Sequence, residues 1–323
     1  MDVDETLRPV FLVGAARSGT SMLFRTLALH PEATWLSNWV QRYPAVPQLN
    51  ALNAVSRMLP KRRARVWFGA EGDNAYVYGA RRPLWDRALP QPVEAETLYR
   101  RAGVPEPGKG PVGPVPHEAL ERLRRYLRTA SRWDNRRRVH VVKRIANNRR
   151  IPLLVEAFPQ ARFIEIVRDG RAVASSLAKV DWWADSDVWW YGGNPASWRD
   201  EGGDEWALCA RNWVEEVRAV REGLDQVAPD RTFSLAYEEL VAEPERQVGA
   251  VLDFCGLDVD DAAFRSSFQE VRFPNKNDRW RTELDSSTLA VVEQVQRAEL
   301  LHYGYQLVTE AGHQDSDTNV AQP

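Results

Sequence analysis

Gly14 and Gly19 bracket four residues, Ala15, Ala16, Arg17 and Ser18, and two hydroxyl residues, Thr20 and Ser21, follow at once. Such a stretch can hold an anion. Successive backbone N–H groups of a small-residue loop converge on negative charge together with the positive end of the helix that follows. The glycine spacing is that of the triphosphate loop G-x-x-x-x-G-K-[ST], but Thr20 stands where that loop has its lysine. The cation here is Arg17, inside the loop. Two further cations stand downstream: Lys143 after VHVV and Arg168 after RFIEIV, with Ser176 eight positions beyond Arg168. Taken alone, residues 14–20 also suit a glycine-rich turn that merely joins two elements.

Positioning these groups requires strands and helices in alternation. Val10 to Val13 is a short apolar, β-branched run that reads as a buried strand, and Leu23 and Leu27 mark a helix that Pro31 stops. Val139 to Lys143, Arg162 to Val167 and Arg231 to Ala236 read as further strands. Helices are expected over 116–131, 151–158, 171–179, 206–227 and 286–303, and the strand over 231–236 leads through residues 237–240 into another that ends near Gly256. In the helix over 206–227, Trp206, Cys209, Trp213, Val217, Val220, Leu224 and Val227 recur every three or four positions as core. The alternation predicts an α/β, P-loop-like three-layer fold, a central parallel sheet flanked by helices. Ligands of such sheets bind beyond the carboxyl ends of the strands. Arg17, Lys143 and Arg168 all fall at or just after such ends, a cationic rim suited to an anion.

Composition narrows the classes. At 323 residues the chain can bury a sizeable core, and its net charge of −2 gives no global pull toward nucleic acid or an anionic membrane. The basic clusters Lys61–Arg65, Arg136–Arg138 and Arg149–Arg150 read as solvated faces. Cys209 and Cys255 fall in helical patterns and suggest a reducing compartment without a disulfide framework. The N-terminal MDVDETLRP does not read as a secretory signal, and no apolar run approaches the ~20 residues of a membrane helix, so a cytoplasmic protein is expected. Its five histidines have no metal-ligand spacing, and no metal is expected.

Other stretches are less legible. Residues 30–44 mix aromatic and polar residues, as a site-lining loop would. Gly103 to Pro116 packs five prolines and four glycines into fourteen positions, which suits an extended loop or lid. Trp182, Trp183, Trp189, Trp190 and Trp198 stand in an irregular segment that is either a wall for an aromatic or apolar acceptor or a loop pinned by its own side chains. The tail after Val308 reads as polar and disordered.

Residues 14–20 resemble the 5'-phosphosulfate loop of sulfotransferases that use 3'-phosphoadenosine 5'-phosphosulfate (PAPS), in the PRSGTT-like form of bacterial and Golgi members. KRIANNRRIPLLVEAFPQARFIEIVRDGRAVASSL (143–177) is similar to that family's central block, YEELVAEPERQVGAVLDFCGL (237–257) to its YEDLV-x-x-P block, and LLHYGY (300–305) to its usual ending. The resemblance covers 10–44 and 138–305 and implies a sulfotransferase domain over 1–308 with an acceptor-side insertion at about 45–137. It implies PAPS as donor, a small-molecule acceptor bearing a hydroxyl, phenols included, and no nucleic-acid or membrane partner. Ala15, Ala16, Arg17, Ser18, Gly19, Thr20 and Ser21 are then the cradle of the 5'-phosphosulfate. Arg168 and Ser176 become the 3'-phosphate pair, Tyr237 lies near the nucleotide, and Lys276 and Asn277, with Trp280, belong to the loop that closes over the 3'-phosphate. Arg17 and Lys143 carry charge stabilisation, and Asn38, Trp39, Trp182 and Trp183 are expected to shape the acceptor pocket.

The general base departs from the family pattern. The loop-type members place a glutamate where this chain has Asn38, and the cytosolic members a histidine where it has Ile145. Glu32, Asp86, His117 and Asp181 are the candidates from elsewhere, with His117 carried forward as catalytic, although each also suits a cap or a solvated loop position. An acceptor as acidic as a phenol would need little help. Two other readings remain: a kinase or other phosphoryl transferase, against which stand Thr20 and the lack of an evident Mg²⁺-binding aspartate after a strand, and a non-catalytic nucleotide-binding homologue.

Overall fold

The computed structural model describes residues 7–69, 83–94, 96–108, 113–134 and 139–309. Five parallel strands, β1 (Arg8–Val13), β2 (Ala33–Thr34), β3 (Val139–Lys143), β4 (Arg162–Val167) and β5 (Thr232–Ala236), form one sheet in the order β2-β3-β1-β4-β5. Strand alternation explains the layers. Val10 and Leu12 of β1 enter one apolar cluster with Val141, Ile164, Ile166 and the helices Thr20–Leu27 and Pro244–Cys255. Phe11 and Val13 enter another with Val142, Phe163 and the helices His117–Trp133 and Ile151–Ala157. The sheet is therefore covered on both faces, as the run of apolar residues in each central strand requires.

Pairing also aligns the strand ends. Leu12 stands opposite Lys143 and Ile164, and Val167 opposite Ala236. The residues leaving β1, β3, β4 and β5 consequently emerge along one edge.

The expected strands all form, and the structure corrects the reading at several points. Ala33–Thr34 adds a two-residue strand beside β3 within the stretch read as loop. The one helix expected after residues 237–240 and ending near Gly256 is two, Tyr237–Ala242, which takes in the expected connector, and Pro244–Cys255. Glu243 (φ −133°, ψ 62°) breaks it, because the residue before a proline is sterically pushed out of the helical region. Arg149 and Arg150 are buried, not solvated: Arg150 donates to both oxygens of Glu96 (2.9 and 2.6 Å) and to the Pro105 carbonyl (3.1 Å). Arg63, also buried, donates to Ser267 Oγ at 2.7 Å, and Arg136–Arg138 lie outside the described residues.

Within the unmatched segment the described residues are largely helical, including Asn53–Met58, Pro60–Phe68 and Glu96–Ala102. The Pro/Gly stretch has no regular structure over 103–108 and 113–116, and its centre lies outside the described residues. Thr309 is tied to Glu293 by its amide and hydroxyl (2.9 and 2.6 Å), so the expected disordered tail cannot begin before 310, and 310–323 lie outside the described residues. Among the described residues no helix is long and apolar enough to cross a membrane.

Candidate functional site

A cleft of about 1050 Å³ opens along the edge where the strands end. Its floor is the loop after β1. Gly14 has φ 139°, and a Cβ there would lie 2.4 Å from the Ile166 carbonyl oxygen, so the loop can pass this close to β4 only as glycine. Gly19 (φ 90°) precedes the helix Thr20–Leu27, and a Cβ there would lie 2.7 Å from the Tyr237 ring. Between them Arg17 holds a left-handed φ of 70°, uncommon for a residue with a side chain. The helix begins its bonding with Met22 and Leu23, which both donate to the Gly19 carbonyl, so the amides of Thr20 and Ser21 have no helical acceptor and point toward the cleft mouth as a first turn does. The Ser18 hydroxyl is fully buried and has no hydrogen-bond partner among the described residues.

Cations stand around this loop. Arg17 Nε donates to Ser176 Oγ at 2.9 Å, and the Ser176 hydroxyl hydrogen has no acceptor among the described residues. Arg168, at the end of β4, is 6% exposed and donates Nε to Asn277 Oδ1 (3.1 Å), Nη1 to the Arg17 carbonyl (2.9 Å) and Nη2 to the Lys276 carbonyl (2.8 Å). A guanidinium has five N–H donors, so two remain uncommitted among the described residues. Its Cζ lies 4.4 Å from the Tyr237 ring centroid. Burial works against the Arg168 charge, and Tyr237 and Glu238 favour it. Lys143, at the end of β3, is 4% exposed and pairs with Glu94, which also meets Arg144 at 3.4 Å.

The structure brings most of the expected residues to this cleft. Ala16, Arg17, Gly19, Thr20, Ser21, Lys143, Arg168, Ser176, Tyr237, Lys276, Trp182 and Trp183 all line it. Ala15, Ser18 and Asn277 are buried behind its wall. Others lie away from it. His117 stands three-quarters exposed at the start of its helix, 3.6 Å from Glu121, and does not line the cleft. Asn38 and Trp39 hold a neighbouring segment instead: Asn38 Oδ1 accepts from the Gln91 amide (3.1 Å), its Nδ2 donates to the Arg87 and Leu89 carbonyls (3.1 and 3.4 Å), and Trp39 Nε1 donates to the Ala88 carbonyl (2.8 Å). Of the remaining base candidates, Glu32 is exposed, Asp86 pairs with Arg62 and Arg65, and Asp181 lies outside the cleft.

The tryptophan segment divides between the cleft and its own packing. Trp182, Trp183 and Trp189 face the cleft, whereas Trp190 and Trp198 pack with Tyr191 at 5.1 to 6.2 Å between ring centroids. Trp189 Nε1 donates to Glu216 (2.8 Å) and carries Arg149 over its ring at 4.2 Å. Sequence reasoning missed Glu216 and Glu94. Burial pushes the Glu216 carboxyl up, opposed by Arg149, Asn148 and Trp189. Asn148 links this group to the loop, donating to Glu216 at 2.6 Å and exchanging two hydrogen bonds with the Gly14 backbone (3.0 and 3.1 Å). Among the described residues no three His, Cys, Asp or Glu side chains converge as metal ligands.

A positively lined cradle at the end of a parallel sheet is shared by many nucleotide-binding proteins, so the family has to come from comparison. The sulfotransferase family profile matches residues 9–261. The chain belongs to the sulfotransferase family. It is similar to the omega-hydroxy-beta-dihydromenaquinone-9 sulfotransferase of Mycobacterium bovis, 27% identical over 284 aligned residues that cover 77% of this chain and 63% of that protein. The chain thus spans about 63% of the length of the curated relatives it matches. Its fold resembles the crystal structures of sulfotransferase STF9 from Mycobacterium avium (TM-score 0.55, 16% identity, 94% of this chain and 78% of that one) and sulfotransferase STF1 from Mycobacterium tuberculosis (TM-score 0.50, 16% identity, 90% and 76%).

Proposed function

We propose that this sulfotransferase-family chain transfers a sulfuryl group from PAPS to a hydroxyl of a small-molecule acceptor, phenols included. The observation that supports the reading is one cleft that gathers two adjoining sets of anion-binding groups, the loop Gly14–Thr20 with Arg17 and Lys143, and Arg168 with Ser176, linked by the Arg17–Ser176 and Arg168–Arg17 hydrogen bonds. The residues fit a donor charged at both ends. Gly14 and Gly19 let the loop close against the Ile166 carbonyl and the Tyr237 ring, and among the described residues Arg168 keeps two N–H groups and Ser176 a hydroxyl hydrogen for a second phosphate.

When bound, PAPS supplies the sulfuryl group and a bisphosphate as leaving group. The loop amides and the hydroxyls of Thr20 and Ser21 hold the 5' end. Arg17 and Lys143 stabilise negative charge growing on the departing oxygen, in a cleft whose buried walls make such charges count for more than in water. Arg168 and Ser176 select the nucleotide bearing a 3'-phosphate, while Lys276 and Asn277 hold Arg168 in place. Trp182 and Trp183 shape the acceptor side, and positioning two oxygens about the sulfur does the rest. The setting is cytoplasmic, where the two free, buried thiols Cys209 and Cys255 stay reduced.

The test is turnover. The chain is incubated with PAPS and a panel of phenols, alcohols and amines, and 3'-phosphoadenosine 5'-phosphate (PAP) and product are read by mass spectrometry. PAP formed in step with a sulfated hydroxyl is expected. Absence of sulfated product across the panel, or phosphorylated product when ATP replaces PAPS, would overturn the proposal.

A further inference from the structure

An acceptor hydroxyl must lose its proton as it attacks, and neither Asn38 nor Ile145 can take it. We infer that Glu94, which no sequence motif marks, is the group that does. The inference rests on the sulfuryl-transfer reading above.

Among the described residues, the cleft is lined by the carboxylates of Glu94, Glu106, Asp187, Glu216 and Glu283. Glu216 is saturated by Asn148, Trp189 and Arg149. Glu283 is held by Lys179 and Ser175, both at 2.6 Å, and Glu106 is 62% exposed and reaches only Arg144. Asp187 is exposed on the tryptophan segment. Glu94 alone is joined to Lys143, a cation that ends a strand beside the loop. Its side chain keeps a third of its surface open.

The chain delivers this carboxylate deliberately. Asn38 and Trp39 grip residues 87–91 as described above, Ser37 bridges to Pro92, and the Val93 amide donates to the Leu36 carbonyl at 3.1 Å. Four consecutive residues after β2 thus pin the segment that ends in Glu94. Asn38 acts here as a positioning residue.

The charge environment suits an ionised base. Burial pushes the Glu94 carboxyl up, but Lys143 and Arg144 outweigh it and hold it below the usual carboxylate range. Arg144 is shared with Glu96 (2.9 Å) and Glu106 (3.5 Å), and Glu96 with Arg150. In the step, the acceptor O–H bond breaks and its proton passes to a Glu94 oxygen. The acceptor oxygen uses the freed electron pair to form the new O–S bond. The S–O bond to the phosphate breaks, leaving its electrons on the departing oxygen beside Lys143 and Arg17.

A carboxylate that merely held Lys143 would look similar in a simple activity assay, so the test varies the acceptor's acidity. Glu94→Gln and Glu94→Asp are compared with the parent chain using PAPS and acceptors from an alkyl alcohol through phenol to a nitrophenol, and PAP binding is titrated in each. Glu94→Gln is expected to lower kcat about 10²- to 10⁴-fold for the alcohol, and less than about tenfold for a nitrophenol, which ionises without help. PAP affinity should be unchanged, and Glu94→Asp should restore part of the loss. A loss of equal size for every acceptor, or no loss, would overturn the assignment while leaving the transferase reading intact. No transfer by the parent chain to any acceptor would overturn both.

Discussion

The two walls of the cleft are built on different principles. The wall assigned to the donor is made from strand ends: the loop after β1, Lys143 at the end of β3 and Arg168 just past β4 are fixed by sheet register, and Arg168 is tied to the loop through the Arg17 carbonyl. The wall assigned to the acceptor is made from chain that returns from elsewhere, Glu94 at the end of the segment 87–94 and residues 182–189, held by tryptophan N–H groups, ion pairs and the side chain of Asn38. A register-fixed wall suits a charged ligand whose geometry does not vary. A wall hung on side chains can be rebuilt without disturbing the sheet.

That contrast can be broken or sharpened by substitution. Arg17→Ala and Lys143→Ala should each lower turnover about 10³-fold with thermal stability nearly kept, because each removes a charge aimed at the reacting centre; near-normal rates in steady-state assays would erase the distinction. Arg168→Ala should raise the donor KM about 100-fold by removing charge-assisted hydrogen bonds, with the acceptor KM unmoved.

A pH experiment probes the seam between the sheet and the helix His117–Trp133. His140 of β3 is fully buried against Ser131 of the helix His117–Trp133 (2.7 Å), and burial lowers its pKa from 6.5 to about 4. The unfolded chain therefore binds this proton first, so stability is complete above pH 6.5 and is lost as pH falls toward about 4. The loss should reach up to about 3 kcal/mol in denaturant titrations and vanish in His140→Leu.

On the other wall, Trp189→Ala should raise the acceptor KM about tenfold while the donor KM stays put, since it removes an aromatic face together with its bond to Glu216. His117→Ala should change turnover less than about twofold, as expected of an exposed surface residue.

The donor wall was legible in the sequence because its rules are local. A β-branched run, two glycines at fixed spacing and a helix start specify the cradle, and Lys143 and Arg168 follow apolar runs that could only be strands. What was missed had no local rule behind it. Ala33–Thr34 pairs for two residues, too short for any alternation to appear. The helix break at Glu243 was readable from Pro244 and went unread. The burial of Arg149 and Arg150 depends on Glu216 and Glu96, carboxylates tens of residues away in the chain. Glu94 sits in a stretch without periodicity, and its place is set by Asn38, Ser37 and Leu36 across a tertiary contact. Asn38, where the family pattern has a glutamate, spends its side chain on the backbone of Arg87, Leu89 and Gln91, which no local pattern reveals.

The central claim is that one edge of this sheet grips a nucleotide charged at both ends, with Arg168 and Ser176 reading the second phosphate. Calorimetric titration of the chain with PAP and with AMP tests it most directly. PAP is expected to bind at least about 100-fold more tightly, the difference collapsing in Arg168→Ala. Equal affinity for the two nucleotides would contradict the account.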